Sequence, residues 1–290
     1  MIDMHIHTAN SDGTYSTREI IEMLIKLGIT QFSITDHDDV SAYREINGIL
    51  LPDNINCIPG IEFSALHNNS FNCHILGYGI NCSNDVLLGM CRLIKAARIK
   101  KINQVLEYIR DMFGKIITDE EARKILNKKG TIGRYDICEV LLKKPENAGM
   151  KRSEIYDRYL TPKNLIVHRI PSKVIIDTIH KAKGKAILAH PKEIEEDYPG
   201  IDIEKFIYEL IREGLDGIEI YNSVHTPEDV ERYSAMAKDF DNMISNKFFL
   251  TTGGSDFHGE NKPERQLGRT TTKQKKITQR DILFPYVNIL

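Results

Sequence analysis

The sequence contains no apolar run that approaches the roughly 18 residues needed to span a membrane. It also contains no C-x-x-C pair, although it has five cysteines, namely Cys57, Cys73, Cys82, Cys91 and Cys138. This odd, unpaired set excludes a disulfide framework and a structural zinc ribbon, and it predicts buried or free thiols in a reducing compartment. No secretory signal is predicted, because a polar segment begins at Asp3, where an apolar stretch would have to lie. We therefore expect a cytoplasmic protein.

A strong charge of either sign is absent as well, since the net charge is −2 over 290 residues. With 41% apolar and 28% charged side chains, the composition is typical of a globular protein and excludes a disordered or collagen-like chain. The length fits one or two domains of roughly 100–200 residues each, and an α/β barrel can use such a length as a single domain.

The near-neutral total hides an uneven distribution of charge along the chain. Residues 92–163 contain 18 Lys and Arg against 10 Asp and Glu, a local balance of +8, and the remainder has a balance of −10. This contrast predicts anion binding by the basic segment and cation binding by the rest of the chain. The alternative is that helices in the segment simply carry solvated lysines.

Short β-like runs alternate with helical patterns over most of the chain, which is typical of parallel β/α units. Helical patterns lie at 18–27, 174–183, 203–213 and 228–240, and the first opens with a capping box of Ser16 and Glu19 and stops at Gly28. The predicted strands are 2–7, 31–35, 56–64, 73–78, 186–189, 217–221 and 248–252. Seven such strands favour a closed or nearly closed barrel.

The basic segment interrupts that alternation with helical patterns alone. Apolar residues recur at helical spacing from Ile102 to Phe113, and further helical patterns follow at 119–127 and 136–143. No strand is evident between about 85 and 164. We therefore predict a barrel domain of residues 1–84 and 165–290, and a small all-helical insert of residues 85–164 between the fourth and fifth strands.

Six of the ten histidines lie at or near an end of a predicted strand, and acidic residues accompany them. His5 and His7 are two residues apart on one strand, so both side chains leave the same face, roughly 6–7 Å apart. Asp256 and His258 repeat this spacing after the last strand. Because strand ends converge on one face of a β/α barrel, these side chains are expected to meet there.

The expected meeting point has more nitrogen and oxygen ligands than one tetrahedral ion uses, so we predict two or three divalent ions. Imidazole with carboxylate suits Zn, Mn or Fe. Asp36 precedes the ligand His37 by one residue and would face the opposite way on a strand. Asp36, like Asp3, is therefore predicted to hydrogen-bond a metal ligand without binding the ion itself. His67, His168 and His180 lack this setting and are taken as ordinary residues. The predicted ligands are His5, His7, Asp12, His37, Glu62, His74, His190, Asp256 and His258.

These residues lie in motifs that resemble the PHP (polymerase and histidinol phosphatase) family of metal-dependent phosphoesterases, in the family's order. The resemblance implies a distorted (β/α)7 TIM-like barrel with two or three ions, and it favours Mn. It also implies three ligand sets, namely His5, His7, Glu62 and Asp256; Asp12, His37 and His258; and Glu62, His74 and His190. The motifs are Asp3-Met4-His5-Ile6-His7-Thr8, Ser11-Asp12-Gly13, Thr35-Asp36-His37, Gly60-Ile61-Glu62, His74-Ile75-Leu76-Gly77, Ala189-His190-Pro191 and Gly254-Ser255-Asp256-Phe257-His258.

The insert resembles that of a narrower group in the family, the nucleoside 3′,5′-bisphosphate phosphatases, some of which also trim short RNA from the 5′ end. Arg98 and Arg134 stand where that group has phosphate-binding arginines. The sequence departs from the group at Asp136, where histidine is usual, and an acidic residue beside a phosphate would repel it unless the side chain turns away.

These features predict a metal-dependent phosphoesterase in which a metal-bridging hydroxide attacks phosphorus. Arg98 and Arg134 would clamp a second phosphate, and His190 or His225 would protonate the leaving oxygen. The expected substrate is a nucleoside 3′,5′-bisphosphate or a short oligonucleotide, with no membrane and no obligate protein partner. One alternative is a small-metabolite phosphatase of the histidinol-phosphatase type, and another is a non-catalytic, metal-stabilised binding module.

Overall fold

The structure is a computed structural model that describes residues 1–162, 169–244, 248–270 and 275–276. The chain divides into two compact units, Met1–Met90 with Arg169–Leu290, and Cys91–His168. We call the first the barrel unit and the second the insert. The predicted boundary after residue 84 lies directly before the helix Asp85–Phe113. The division between the two compact units, after Met90, falls inside that helix. The predicted boundary after residue 164 lies outside the described residues.

The strands of the barrel unit pair into three sheets. One has the order β1-β2-β3, a second has the order β6-β4-β5-β7-β8-β9, and β10 pairs with β11. Isolated bridges connect Ile6 of β1 with Phe257 and His37, just beyond β2, with Glu62, so the first sheet touches residues of, or just beyond, the second at two places. The strands are β1 Ile2–Ile6, β2 Gln31–Ile34, β3 Asn56–Cys57, β4 Gly60–His67, β5 Phe71–Tyr78, β6 Ile170–Pro171, β7 Lys185–Leu188, β8 Gly217–Tyr221, β9 Leu250–Gly253, β10 Arg269–Thr270 and β11 Lys275–Lys276.

The direction of β5 differs from the parallel arrangement that the sequence predicts. It runs antiparallel to both β4 and β7, whereas β7, β8 and β9 are parallel to one another. The cause is a tight hairpin after β4, in which Asn68 and Asn69 have φ of 48° and 56°. Asparagine tolerates this left-handed backbone, and two such residues reverse the chain within a few positions. The reversal also brings the first half of β5, which contains His74, beside the end of β7.

The predicted strand 56–64 is divided in the structure into β3 and β4. Pro59 lies between them and has no N–H to donate to a neighbouring strand. Its carbonyl oxygen instead accepts a hydrogen bond from the N–H of Gly79 at 2.8 Å. The break leaves Glu62 near the beginning of β4.

The helices flank the strands in the barrel unit and make up the insert. The first begins with the predicted capping box of Ser16 and Glu19 and ends at Gly28, whose φ is 69°. Within the described residues, no helix combines the length and apolarity that crossing a membrane requires. The helices are α1 Thr17–Leu27, α2 Ala42–Ile46, α3 Asp85–Phe113, α4 Asp119–Leu126, α5 Arg134–Leu142, α6 Arg152–Ile155 with a π-helical turn at Tyr156–Leu160, α7 Ser172–Lys181, α8 Pro191–Asp197, α9 Ile203–Glu213 and α10 Pro227–Met243.

Each unit has its own apolar core. In the barrel unit, Met4 of β1 packs with Tyr78 of β5, and the Tyr78 hydroxyl donates to the carbonyl of Met4 at 2.8 Å. In the insert, the core residues come from each of its helices, and α3 contributes the helically spaced positions that the sequence indicates. That core includes Ile102, Val105, Ile109, Ile125, Ile137, Cys138, Leu141, Ile155, Tyr159 and Leu160.

Candidate metal centre

The imidazoles of His5 and His7 form the base of a buried cluster in the barrel unit. Their Nε2 atoms lie 3.2 Å apart. Their Nδ1 atoms face other groups, because His5 Nδ1 lies 3.0 Å from Oε1 of Glu219 and His7 Nδ1 lies 3.4 Å from Oγ of Ser11. Both rings therefore present Nε2 toward one shared point.

The carboxylate of Glu62 lies at the centre of this cluster and is fully buried. Its Oε2 lies 3.1 Å from Nε2 of His7 and 3.0 Å from Nδ1 of His37. Its Oε1 lies 3.1 Å from Nδ1 of His74 and 3.0 Å from Nε2 of His190. One carboxylate thus divides its two oxygens between separate pairs of imidazoles.

Two aspartates complete the cluster from opposite ends of the chain. Asp256 Oδ1 lies 3.4 Å from Nε2 of His5 and 3.2 Å from Nε2 of His7. Asp12 Oδ1 lies 3.4 Å from Nε2 of His258, and Asp12 Oδ2 lies 3.7 Å from Nε2 of His37. Asp256 has a φ of 52°, so its backbone is strained at a position next to the cluster.

All nine residues that the sequence predicts as ligands are brought into this one cluster, and their assignment as ligands is taken up below as a proposal. In each of four overlapping groups the candidate ligand atoms lie within 4.8 Å of one another. Four residues, His5, His7, His37 and Glu62, each belong to two groups. The groups are His7, Asp12, His37 and His258; His5, His7 and Asp256; His5, Glu62 and His190; and His37, Glu62 and His74.

The geometry fits divalent ions better than it fits a hydrogen-bonded network. Among the described residues, the buried atoms Asp12 Oδ1, Glu62 Oε2, His74 Nδ1 and His258 Nε2 make no hydrogen bond. Buried polar atoms are normally satisfied, so such atoms facing one another indicate a missing common partner. Ligands bound to one ion at ~2.1 Å are separated by about 3.0–3.4 Å at right or tetrahedral angles, close to the separations around Glu62.

The charge states of the cluster also suit cation binding. Burial would raise the pKa of the Glu62 carboxyl, but the imidazoles of His37 and His5 hold that pKa well below its usual range. Burial lowers the pKa of His258 to about 3, so its ring is neutral at pH 7. Burial acts in the same direction on His5, but Glu219 and Glu62 raise its pKa to about 10. An ion bound by His5 would therefore displace a proton.

Asp3 and Asp36 hydrogen-bond to loop residues next to the cluster. Asp3 accepts hydrogen bonds from the N–H and Oγ of Ser255, at 2.9 and 2.6 Å, and burial raises its pKa to about 6. Asp36 accepts from Thr8 N–H at 2.7 Å and from Ser11 Oγ at 2.5 Å. Through Ser11, Asp36 is linked to the ring of His7 rather than to that of its neighbour in sequence.

Further charged residues, among them Glu219, Glu193 and Arg265, contact the cluster and were not anticipated from the sequence. Glu219 binds His5, and Glu193 Oε2 lies 3.1 Å from Nδ1 of His190. Arg265 is buried, contacts the carboxylate of Asp256 and donates to Glu193 Oε1 at 2.9 Å. For Glu219 a signal existed, because it stands between Ile218 and Ile220 in a strand, and a buried lone carboxylate requires a partner. For the other two the sequence carries no comparable signal.

Three of the remaining histidines, His225, His67 and His180, lie in the barrel unit outside the cluster. His225 is buried, its Nδ1 lies 2.6 Å from the carbonyl oxygen of Ile220, and burial lowers its pKa. His67 Nε2 lies 3.1 Å from Glu209 Oε2, in a pair outside the cluster. His180 pairs with Asp216 at 2.7 Å. His168 lies outside the described residues.

The two predicted phosphate-binding arginines lie in the insert. Arg98 Nη1 donates to the carbonyl oxygen of Ile132 at 3.5 Å. Arg134, the first residue of α5, donates to the carbonyl oxygen of Leu160 at 3.0 Å, and its guanidinium lies 5.5 Å from the centre of the Tyr156 ring.

Asp136, the residue that departs from the family pattern, is engaged within the insert. Its carboxylate accepts from Gly133 N–H at 2.8 Å and from Lys128 Nζ at 2.9 Å. The negative charge is therefore held by the N-terminal turn of α5 and by a lysine.

Comparison with known proteins gives a consistent result. Residues 3–219 match the PHP domain family. A 5′-3′ exoribonuclease of Haemophilus influenzae is 26% identical, over 88% of this chain and 89% of the relative. A 3′,5′-nucleoside bisphosphate phosphatase of Chromobacterium violaceum is 24% identical, over 93% of this chain and 91% of the relative.

Two further similarities test how widely that result holds. A phosphoribosyl 1,2-cyclic phosphate 1,2-diphosphodiesterase of Eggerthella lenta is 25% identical, over 89% of this chain and 94% of the relative. A solved structure from Bifidobacterium adolescentis, assigned as a metal-dependent phosphoesterase, superposes with a TM-score of 0.78 at 26% identity and covers 94% of this chain and 93% of that one. The names of the three relatives all describe cleavage of phosphate esters, and they differ in the substrate.

Proposed function

Because the chain belongs to the PHP domain family and is a metal-dependent phosphoesterase, we propose that it acts on nucleotides. The proposed reaction is removal of the 3′-phosphate from nucleoside 3′,5′-bisphosphates, together with cleavage of short oligonucleotides from the 5′ end. The observation that carries this substrate class is the local charge of +8 over residues 92–163, since a substrate with two phosphates needs more cationic contacts than one with a single phosphate. The names of two relatives support the same class.

The nine clustered side chains are the proposed ligands of two or three divalent ions, with manganese favoured. When bound, such ions supply a hydroxide at neutral pH and neutralise charge on the phosphoryl oxygens. Glu62, which faces four imidazoles at 3.0–3.1 Å, is the proposed shared ligand. His258 is suited to be a ligand because its ring is neutral at pH 7 and its buried Nε2 makes no hydrogen bond among the described residues.

Arg98 and Arg134 are the proposed clamp for the phosphate that is not hydrolysed. A planar guanidinium binds two phosphate oxygens at once and stays charged at every relevant pH. The bonds of Asp136 to Gly133 and Lys128 support this clamp, because they reduce the repulsion expected from an acidic residue near Arg134.

The proposed donors of the proton to the leaving oxygen are His190 and His225, and His190 can donate only while its Nε2 carries hydrogen instead of binding an ion. The alternative donor, His225, is neutral at pH 7 because burial lowers its pKa, and its Nδ1 is engaged by Ile220. His225 is better suited to accept a hydrogen bond through Nε2.

The fold that supports this centre is proposed to be a closed, seven-stranded barrel. The ring would run through β1, β2, β4, β5, β7, β8 and β9. The bridges of Ile6 to Phe257 and of His37 to Glu62 support closure, because each connects the three-stranded sheet to one side of the six-stranded sheet.

Substitution of Arg134 by alanine tests the substrate class. With Mn-loaded protein, we expect Arg134→Ala to raise KM for adenosine 3′,5′-bisphosphate about 10-fold or more, the effect of losing one charged hydrogen-bonding group. KM for adenosine 3′-monophosphate should stay the same. Arg123→Ala is the matched control. Arg123 is an exposed arginine of the insert whose side chain donates to the carbonyl oxygen of Asp119, one turn earlier in α4.

Equal losses on both substrates would contradict the clamp. Preference of the wild-type protein for histidinol phosphate, or for phosphoribosyl 1,2-cyclic phosphate, would contradict the nucleotide assignment and leave the metal centre standing. Bound metal with no phosphate release from any substrate would instead favour the binding module.

A further inference from the structure

Glu219 of β8 has a fully buried carboxylate, and both of its oxygens make polar contacts. Oε1 lies 3.0 Å from Nδ1 of His5. Oε2 accepts from the backbone N–H of His190 at 3.0 Å and from Nδ2 of Asn222 at 2.8 Å. All three partners are nitrogen donors, so the carboxylate is engaged from several sides by the protein itself.

The contact with His5 fixes which nitrogen of that ring is available. A neutral imidazole carries hydrogen on one nitrogen and a lone pair on the other, and an ionised carboxylate can only accept. Glu219 therefore holds hydrogen on Nδ1 and leaves a lone pair on Nε2 when the ring is neutral. That atom lies 3.4 Å from Glu62 Oε2 and 3.4 Å from Asp256 Oδ1, among the candidate ligand atoms.

The contact with His190 acts on the backbone instead of the ring. His190 has φ of 25° and ψ of 65°, a conformation that residues other than glycine rarely adopt. Such a backbone persists only where its surroundings hold it. The bond from its N–H to Glu219 is one such restraint, and it leaves the ring with Nε2 at 3.0 Å from Glu62 Oε1.

We propose that Glu219 is the positioning residue of the ligand group formed by His5, Glu62 and His190. It sets the ring hydrogen of one member and the backbone of another, while Glu62 lies between them. The proposal rests on the metal centre of the proposed function. Carboxylates in this position behind a ligating histidine typically change metal affinity about 10–100-fold when they are removed.

The chain offers a matched control in Glu209. Its Oε2 lies 3.1 Å from Nε2 of His67 and accepts from Nδ2 of Asn68 at 2.7 Å. This is the same combination of carboxylate, imidazole and amide, but the histidine is none of the clustered residues. Glu209→Gln therefore removes a carboxylate–histidine pair without touching the metal centre.

The test is a titration of purified, metal-free protein with Mn²⁺, with the number of ions and their Kd values measured by chelator competition. For Glu219→Gln we expect one ion to bind about 10–100-fold more weakly, and the visible spectrum of the Co²⁺-loaded protein to change. Glu209→Gln should match the wild-type protein in both measurements. Asn222→Ala, which removes only one partner of Glu219, should give a smaller change of the same kind.

Several outcomes would overturn the assignment. One is a folded Glu219→Gln protein with wild-type ion number, Kd values and Co²⁺ spectrum. Another is a lowered Tm of the metal-free variant with an unchanged rise of Tm on adding Mn²⁺, since that reports a purely structural role. If Glu219→Gln fails to fold, Asn222→Ala alone decides, and wild-type binding by it overturns the proposal. Absence of Mn²⁺ binding by the wild-type protein would instead contradict the metal centre, and so the proposed function itself.

Discussion

The barrel unit and the insert handle charge in opposite ways. In the barrel unit, most carboxylates and imidazoles of the cluster are buried, and they face one another across long stretches of sequence, as His5 and Glu219 do. In the insert, some ion pairs are exposed and local, such as Lys115 with Asp119 and Lys124 with Glu120, each four residues apart. Burying charge is costly unless partners compensate it, whereas exposed pairs contribute little in either direction. We infer from this difference that the buried charges of the cluster serve the proposed metal centre, whereas the charges of these insert pairs contribute at most to local stability.

The polar contents of the two cores follow the same division. The core of the insert is aliphatic apart from Cys138 and Tyr159, and the Tyr159 hydroxyl is satisfied by Asn147 at 2.8 Å. Among the described residues, the barrel unit gathers several buried atoms without hydrogen bonds in one cluster, such as Glu62 Oε2 and His258 Nε2, whereas the insert has a single such atom, Gln104 Oε1. An apo barrel unit is therefore expected to gain stability on loading with ions, by an amount that rises with the logarithm of their concentration relative to Kd.

The strongest test of this contrast is removal of the shared carboxylate. In Glu62→Gln, the amide loses the charge that two groups of imidazoles share, so we expect kcat to fall on the order of 10³-fold or more at saturating Mn²⁺. The measurement is phosphate release from adenosine 3′,5′-bisphosphate.

Glu120→Gln, on the exposed face of the insert, is the control and should keep wild-type kcat. A Glu62→Gln protein within 10-fold of the wild type would mean that this carboxylate is not at the reacting centre.

The sequence predicted the members of the cluster better than their surroundings. The i, i+2 spacing of His5 and His7 and the strand ends were visible because both depend on local pattern. The hairpin that reverses β5 was missed, because it depends on the backbone of Asn68 and Asn69 and not on apolar periodicity. Arg265 was missed because its partner Glu193 lies 72 residues away in sequence. Contacts at such separations follow from the fold as a whole.

A second test asks whether stability of the insert can be lowered without affecting the metal centre. Ile137 is fully buried in the core of the insert, so Ile137→Ala should reduce the free energy of unfolding of the insert by about 2–5 kcal/mol. Urea unfolding followed by far-UV circular dichroism measures this change. The number of Mn²⁺ ions bound in the absence of urea should stay the same, because all nine candidate ligands lie outside residues 91–168.

Leu93→Ala is the control for that experiment, since Leu93 is 56% exposed and its removal should change stability by less than about 0.5 kcal/mol. Loss of bound Mn²⁺ in Ile137→Ala would break the separation between the two units and show that the metal centre depends on a folded insert.

The smallest expected effect concerns a single capping charge of the insert. A hydrogen bond from Lys144, together with the N–H of Thr118, lowers the pKa of Glu121 to about 2. Because the folded pKa lies below the unfolded value near 4.5, Glu121 stabilises the insert fully above pH 4.5, and this contribution is lost as the pH falls toward 2. The side chain is 31% exposed, so solvent screening limits the loss of unfolding free energy in Glu121→Gln to about 1 kcal/mol or less at pH 7.

Urea unfolding at pH 7 and pH 3 should therefore show a smaller difference in the free energy of unfolding between the wild-type and variant proteins at the lower pH, with unchanged kcat at pH 7. A difference that stays constant between the two pH values would mean that the shape of the side chain, and not its charge, stabilises this turn.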